Sequence, residues 1–298
     1  MTTTSRPPQD IWKEWLLERR FGGDQALMQK TLSEFLYPIR DRVLDHAALQ
    51  EGETLLDVGC GDGLIAFGAL ERLNAGRVIF GDISQDLLDH VSALARQMGV
   101  SSRCQFLQVA ADDLSPIADA SVDVVTTRSV LIYVEDKAEA FREFHRVLKP
   151  GGRISLFEPI NRFGYPSPRH RFWGFDVTPV MEIAGKLKAH YQALQPPESD
   201  PMLNFDERDL VEMAAKAGFD EIYLDLKIEL KPFPASFLKW ENLLNVAGNP
   251  RIPTMAEAMD QVLTKAEKER FIVHLRPLVE RGERRARSAL AYLWAVKR

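Results

Sequence analysis

The stretch LLDVGCGDG at 55–63 sets three glycines at alternate positions directly after a short apolar run. An acid, Asp57, stands two residues ahead of the first of them. Glycine has no Cβ, so a turn through Gly59, Gly61 and Gly63 can adopt positive φ and let a ligand lie against the backbone, while a helix starting at Leu64 offers its free N–H groups. Pyrophosphate-binding turns space their glycines G-x-G-x-x-G; here the spacing is G-x-G-x-G. A carboxylate at Asp57 would repel a pyrophosphate and suits a ligand with an ammonium group. A second acid, Asp82, follows the apolar run 77–81, about 20 residues after the turn, where doubly wound folds place the carboxylate that accepts both ribose hydroxyls. Asp112 and Asp113 follow a third run and can meet an adenine amino group. Arg128 to Val130 follow a fourth, which brings them beside the ligand at the carboxyl edge of a sheet.

Positioning these residues takes parallel strands. Between 54 and 159, short runs rich in β-branched residues alternate with longer amphipathic stretches, the pattern of βαβ units and of an α/β fold with both sheet faces covered. Strands are expected at 54–58, 77–81, 104–110, 122–127 and 153–158, with later ones at 220–231 and 288–296. The clearest helix is 137–148, where Asp136 can cap the start and Ala140, Phe141, Phe144, Val147 and Leu148 recur at helical spacing. Prolines interleaved with aromatics mark 161–205 as an insertion, and 232–287 reads as a second, helical one. The expected organisation is an amino-terminal helical lid (1–50), a ligand-binding core (51–160), an acceptor lid (161–205), a core helix and strand (206–231), a helical insertion (232–287) and a last core strand (288–298).

Four features taken together resemble the class I S-adenosylmethionine-dependent methyltransferases, in particular the bacterial small-molecule, ubiquinone/menaquinone-biosynthesis-like branch (methyltransferase type 11). These are LLDVGCGDG, Asp82 after the second strand, the run from Ala111 to Val125 (ADDL-x-P-x-x-D-x-S-V-D-V-V), and RVLKPGG at 146–152. The resemblance covers about 53–159. It implies a doubly wound, seven-stranded, mostly parallel Rossmann-like sheet with the last strand antiparallel, and S-adenosyl-L-methionine as cofactor. By that analogy Asp57, Gly59, Cys60 and Gly61 hold the methionine part, Asp82 and Ile83 the ribose side, Ala111 and Asp112 the adenine edge, and Arg128 a backbone contact near the sulfonium. Ala110 stands where many members carry an acid, so adenine recognition shifts to Asp112 or Asp113.

The implied reaction is direct in-line methyl transfer to an O, N or C nucleophile of a small molecule, with no metal. Holding the reactants in line can supply ~7 to 11 kcal/mol of the barrier. If a proton must leave the acceptor, Glu158, Tyr133 and His170 are the candidate bases. The aromatic segment 161–176 reads either as a packed crossover or as a wall of the acceptor pocket, with Arg162, Arg169 and Arg171 available to an anionic acceptor. Tyr133 and Lys137 match the Tyr-x-x-x-Lys spacing of short-chain dehydrogenases, but that pair needs one helical turn and here straddles a cap. A nicotinamide-dependent oxidoreductase and a non-catalytic cofactor-binding partner are the alternatives from other classes.

Composition narrows the field further. The chain is 45% hydrophobic and 27% charged, the balance of a folded globular protein. No apolar run approaches the ~18 residues of a membrane span, and the amino terminus lacks the pattern of a signal peptide, so a cytoplasmic location is expected. Cys60 and Cys104 are too few for a disulfide framework or a thiolate metal site. A net charge of -5 argues against nucleic acid or an anionic membrane as partner.

Overall fold

The computed structural model describes residues 10–237 and 239–298; the polar stretch 1–9 and position 238, within the second insertion, lie outside them. Strands β1 (Thr54–Val58), β2 (Arg77–Asp82), β3 (Cys104–Gln108), β4 (Val122–Arg128) and β5 (Leu148–Pro159) run parallel. β6 (Arg171–Phe172) and β7 (Phe175–Asp176) form a small separate hairpin, and β8 (Asp220–Pro232) and β9 (Arg285–Val296) complete the main sheet. The strand order is β3-β2-β1-β4-β5-β9-β8, with β9 antiparallel to both neighbours. From β1 the chain first winds outward through β2 and β3, then returns to build β4 and β5 on the other side. The switch point lies between β1 and β4, and loops leaving their carboxyl ends diverge there to leave a crevice.

Both faces are covered, which is why the central strands read as continuous apolar runs. Helices Tyr37–Ala47, Leu64–Arg72 and Gln85–Gln97 bury Val43, Leu44, Ile65, Ala69, Leu88 and Val91 against one face. Helices Lys137–Val147 and Glu207–Lys216 bury Phe141, Phe144, Val147, Leu210 and Ala214 against the other. Asp136 caps the first of these by accepting from the Glu139 N–H, as its sequence predicts.

Several strand boundaries shift from expectation, most at β5, β9, which starts at Arg285 rather than 288, and β3. β5 begins at Leu148, because Lys149–Gly152 form a bulge within the strand, where Gly151 donates to the Lys297 carbonyl and Lys297 N–H to that of Gly152. Those partners sit at the far end of the chain, out of reach of any local pattern. β3 stops at Gln108, and Ala110 pairs only with Asp113 in a tight turn.

The two insertions share one core. The β6–β7 hairpin and helix Met181–Leu194 from the first pack with helices Trp240–Asn245, Met255–Val262 and Lys265–Glu280 from the second. Phe172 and Phe175 lie inside this cap with Trp240, Met255, Phe271 and Leu275. They are therefore packing residues of the cap and not a wall of an acceptor pocket, which corrects one of the two readings of segment 161–176. Replacing Phe175 by Ala is expected to lower stability by about 3 to 5 kcal/mol in urea unfolding. A pocket-wall residue would leave the unfolding midpoint nearly unchanged.

Candidate active site

At the end of β1 the chain enters the glycine turn. Gly59 has φ 65° and a Cβ there would lie 2.3 Å from Val130 Cγ2, so only glycine fits between β1 and the loop after β4. Gly61 has φ 54°, and a Cβ there would lie 3.1 Å from Leu16 Cδ2 of the amino-terminal segment. Cys60 is buried between them with its N–H on the Gly81 carbonyl, and burial pushes its thiol well above the usual range.

Asp57 is 2% exposed. Its Oδ1 accepts from Thr126 Oγ1 at 2.9 Å and its Oδ2 from Ala66 N–H at 3.2 Å, which ties β1 to β4 and to the first turns of the following helix. Burial raises its pKa to about 7, against the opposing pull of the Thr126 bond and of Arg128. Asp82 closes the turn from the other side: Oδ2 accepts from Gly61 N–H and Oδ1 from Ser84 N–H, both at 2.9 Å. Burial raises this carboxyl too. The helix after β2 is capped by Ser84, whose hydroxyl accepts from Leu87 N–H, so capping does not account for Asp82. Asp62 is a site residue that sequence reasoning passed over. Its Oδ1 is buried without a hydrogen-bond partner, and an acid inside the glycine motif was the available signal.

Further along the edge, Ile83 is exposed, its carbonyl accepting from Gln108 Nε2, while Ala111 is 5% exposed. Asp113 faces solvent and its Oδ1 takes the Ser115 N–H. Asp112, half-buried, has no hydrogen-bond or ion-pair partner among the described residues and keeps its lone pairs available.

The three candidate bases end in different places. Glu158 on β5 is 1% exposed, with Oε1 accepting from Val130 and Leu131 N–H at 3.0 Å and Oε2 from Ile132 N–H at 3.3 Å. It holds the turn Leu131–Tyr133 from beneath and is shut away from an acceptor, which makes it a positioning residue. Tyr133 is half-buried beside the glycine turn's neighbour Val130, and its ring meets Trp12 edge to face at 4.9 Å. Burial lifts its phenol to about 12, so it donates a hydrogen bond more readily than it takes a proton. His170 is exposed on the cap, as are Arg162 and Arg169, while Arg171 turns toward the Gly174 carbonyl. The fold does not gather these four around the crevice. Lys137 points away from Tyr133, its Nζ donating to the Val134 and Pro201 carbonyls and to Asn204 Oδ1, which disposes of the dehydrogenase spacing.

The helical amino-terminal segment was legible in sequence, but what it covers was not. Ser84 Oγ donates to Asp10, Trp12 packs on Tyr133, and Leu16 covers Gly61. Beyond these, Trp15 Nε1 donates to the Ala247 carbonyl at 2.9 Å and Arg19 pairs with Glu257. The segment is a strap joining the crevice to the cap.

Residues 56–156 match the family model described as a methyltransferase domain. The nocamycin O-methyltransferase of Saccharothrix syringae is 31% identical over 222 residues, covering 72% of this chain and 77% of that protein. The ubiquinone/menaquinone biosynthesis C-methyltransferase UbiE of Klebsiella pneumoniae is 32% identical over 183 residues, covering 60% and 71%. Among solved structures, geranyl diphosphate methyltransferase in complex with S-adenosylmethionine superposes with a TM-score of 0.53 at 18% identity, covering 95% of this chain and 94% of that one; the likeness is one of fold. Fold and crevice define a nucleoside-binding transferase of the Rossmann-like kind. The chain belongs to the class I S-adenosylmethionine-dependent methyltransferases, in the group that acts on small molecules. The cofactor is S-adenosylmethionine, and the residues present fit it: the orphaned buried Asp62 Oδ1 suits a cationic donor.

Two outcomes follow. Asp82→Ala should weaken S-adenosylhomocysteine binding by about tenfold or more in calorimetry, ~1.4 kcal/mol or above; unchanged affinity would remove the ribose role. Burial holds Glu158 near 7 against an ordinary 4.5. Between those values the folded chain keeps a proton that the unfolded chain has lost, so the stability contributed is full at lower pH and declines as pH rises through that window. Glu158→Gln should therefore flatten the fall of Tm across the same range relative to the unmodified chain.

Proposed function

We propose that Asp82 and the turn from Gly59 to Gly61 hold the cofactor, with Asp57 anchoring that turn and Ile83, Ala111 and Asp112 at the adenine edge. The acceptor then lies between Tyr133, the strap residue Trp12 and the cap edge near Arg251. Bound S-adenosylmethionine supplies a methyl group already activated on a sulfonium; the acceptor's lone pair takes it and the C–S electron pair returns to sulfur. What the chain adds is alignment and exclusion of water under the strap. The observation that carries this placement is the Trp12–Tyr133 contact directly beside the glycine turn. The net charge of -5 argues against a nucleic-acid acceptor. Two free thiols, Cys60 and Cys104, suit the reducing conditions of a cytoplasm.

Neither Glu158, whose oxygens are taken up by backbone N–H groups, nor His170, exposed on the cap, is placed to act as a general base. An oxygen or carbon nucleophile that loses its own proton near neutral pH fits such a site, as does a neutral nitrogen, which attacks through its lone pair without a base. In a transfer assay with radiolabelled cofactor and a series of phenols and enols, kcat/KM should rise with each acceptor's own ionisation. A profile governed by one group near pH 7 for every acceptor would restore Glu158 as base. Tyr133→Phe should reduce kcat/KM by roughly tenfold or more, while S-adenosylhomocysteine affinity stays within about threefold of the unmodified chain.

A further inference from the structure

The main sheet ends on a long strand with an open side. β8 lies last in the strand order and pairs with β9 in unbroken register from Tyr223 to Pro232. Among the described residues, no hydrogen bond from outside the sheet engages the backbone of residues 223–231, so the groups on its outer side are unpaired. Soluble proteins commonly protect such an edge by keeping it short, bulging it or placing proline in it. Here the irregularity falls at one end, between Asp220 and Tyr223, and the proline at the other, Pro232. The span between them is regular. The opposite edge of the sheet, β3, is protected in the ordinary way by being only five residues long.

Side chains alternate along this span. Leu226, Ile228 and Leu230 share one face and are 37, 48 and 70% exposed, whereas Leu224 on the same face packs onto the core. The other face carries Asp225, Lys227, Glu229 and Lys231. Glu229 accepts from Lys227 at 3.0 Å and from Lys231 at 2.6 Å, and Asp225 pairs with Arg42 at 2.5 Å. An apolar row therefore stands at a sheet edge beside a row of alternating charge.

The order of residues is self-complementary. When DLKIELK at 225–231 is laid antiparallel on a second copy of itself with Ile228 at the centre, Lys227 faces the partner's Glu229 and Asp225 faces the partner's Lys231. Leu226 then faces the partner's Leu230, and Ile228 the partner's Ile228. Directly opposed side chains in an antiparallel pair are close enough to interact, and like charges in that position are destabilising. Moving the centre to Lys227 sets Asp225 against the partner's Glu229; moving it to Glu229 sets Lys227 against the partner's Lys231. Centring on Leu226 carries the pairing into the bulge before Tyr223, and centring on Leu230 brings Pro232, which has no N–H to donate, opposite Ile228. Pattern and edge thus select one register.

We propose that two copies of this chain pair through β8, antiparallel about a two-fold axis at Ile228, so that their sheets become continuous. Such a pair is closed, since each copy uses its long edge once and the short β3 edges remain outermost. An interface one strand wide is small, so association is reversible and depends on concentration.

Sedimentation velocity of the full chain across the micromolar range should show a monomer–dimer equilibrium, and a chain that stays monomeric throughout overturns the proposal. Ile228→Lys, at a half-exposed position, sets two ammonium groups against each other on the axis and should weaken association by about tenfold or more. Lys227→Glu and Glu229→Lys each bring like charges together in their own dimers, and each alone should be monomeric. Mixed, the two chains oppose acid and base at both positions, and a heterodimer should form. Contacts inside each chain are the same alone and mixed, so recovery cannot come from folding. Circular dichroism checks that each variant is folded, and where a charge variant is not, Ile228→Lys decides. A dimer that survives Ile228→Lys, or a mixture of folded variants no more associated than its components, overturns the pairing.

Discussion

The reactive edge of this protein is held in shape by buried carboxylates that accept backbone N–H groups. Where strands end and loops turn back over a crevice, backbone donors are left in places that water reaches poorly, and each needs an acceptor. Asp57 takes the N–H of Ala66, Asp82 those of Gly61 and Ser84, and Glu158 those of Val130, Leu131 and Ile132. Each such bond contributes about 0.5 to 1.5 kcal/mol net, and leaving the buried donor unpaired would cost about 1 to 3 kcal/mol. Three strands, β1, β2 and β5, thereby rigidify the turns that carry the cofactor and acceptor contacts. The same burial lifts the pKa of all three carboxyls, so the scaffold and the local electrostatics have one cause.

The space above that edge is made by segments remote from one another in sequence. The strap touches the core through Asp10, Trp12 and Leu16, and the cap through Trp15, Arg19 and Asp24. The cap is built from both insertions, and Lys137 fastens the end of the first to the core by donating to the Pro201 carbonyl and to Asn204. Such a roof suits methyl transfer, in which alignment and exclusion of water matter more than proton traffic. It also explains how one sheet serves many acceptors in this family, because the roof can be exchanged while the edge is retained.

Local chemistry in the sequence was enough for the sheet and for the turn and acids at its edge. Asp57, Gly59, Gly61 and Asp82 announce themselves because a glycine turn and strand-end acids are short-range features, each set by its neighbours. Parallel strands are equally legible, since burial on both faces leaves continuous apolar runs such as Leu55–Leu56 and Val124–Val125. Trp12 carried no comparable mark, and Asp62 only its place inside the glycine motif. An aromatic on a short helix has many ordinary uses, and only its neighbours in space assign one.

The sequence by itself determined the class of fold, through the βαβ pattern, and the places of the glycine turn and the strand-end acids. Only the tertiary structure decided that Glu158 supports a loop from beneath, that Phe172 and Phe175 build a cap, and that His170 is exposed upon it. The division follows from range: periodicity and turn chemistry are written within a few residues, whereas the environment of a side chain is set by contacts across more than a hundred positions, which no local pattern encodes.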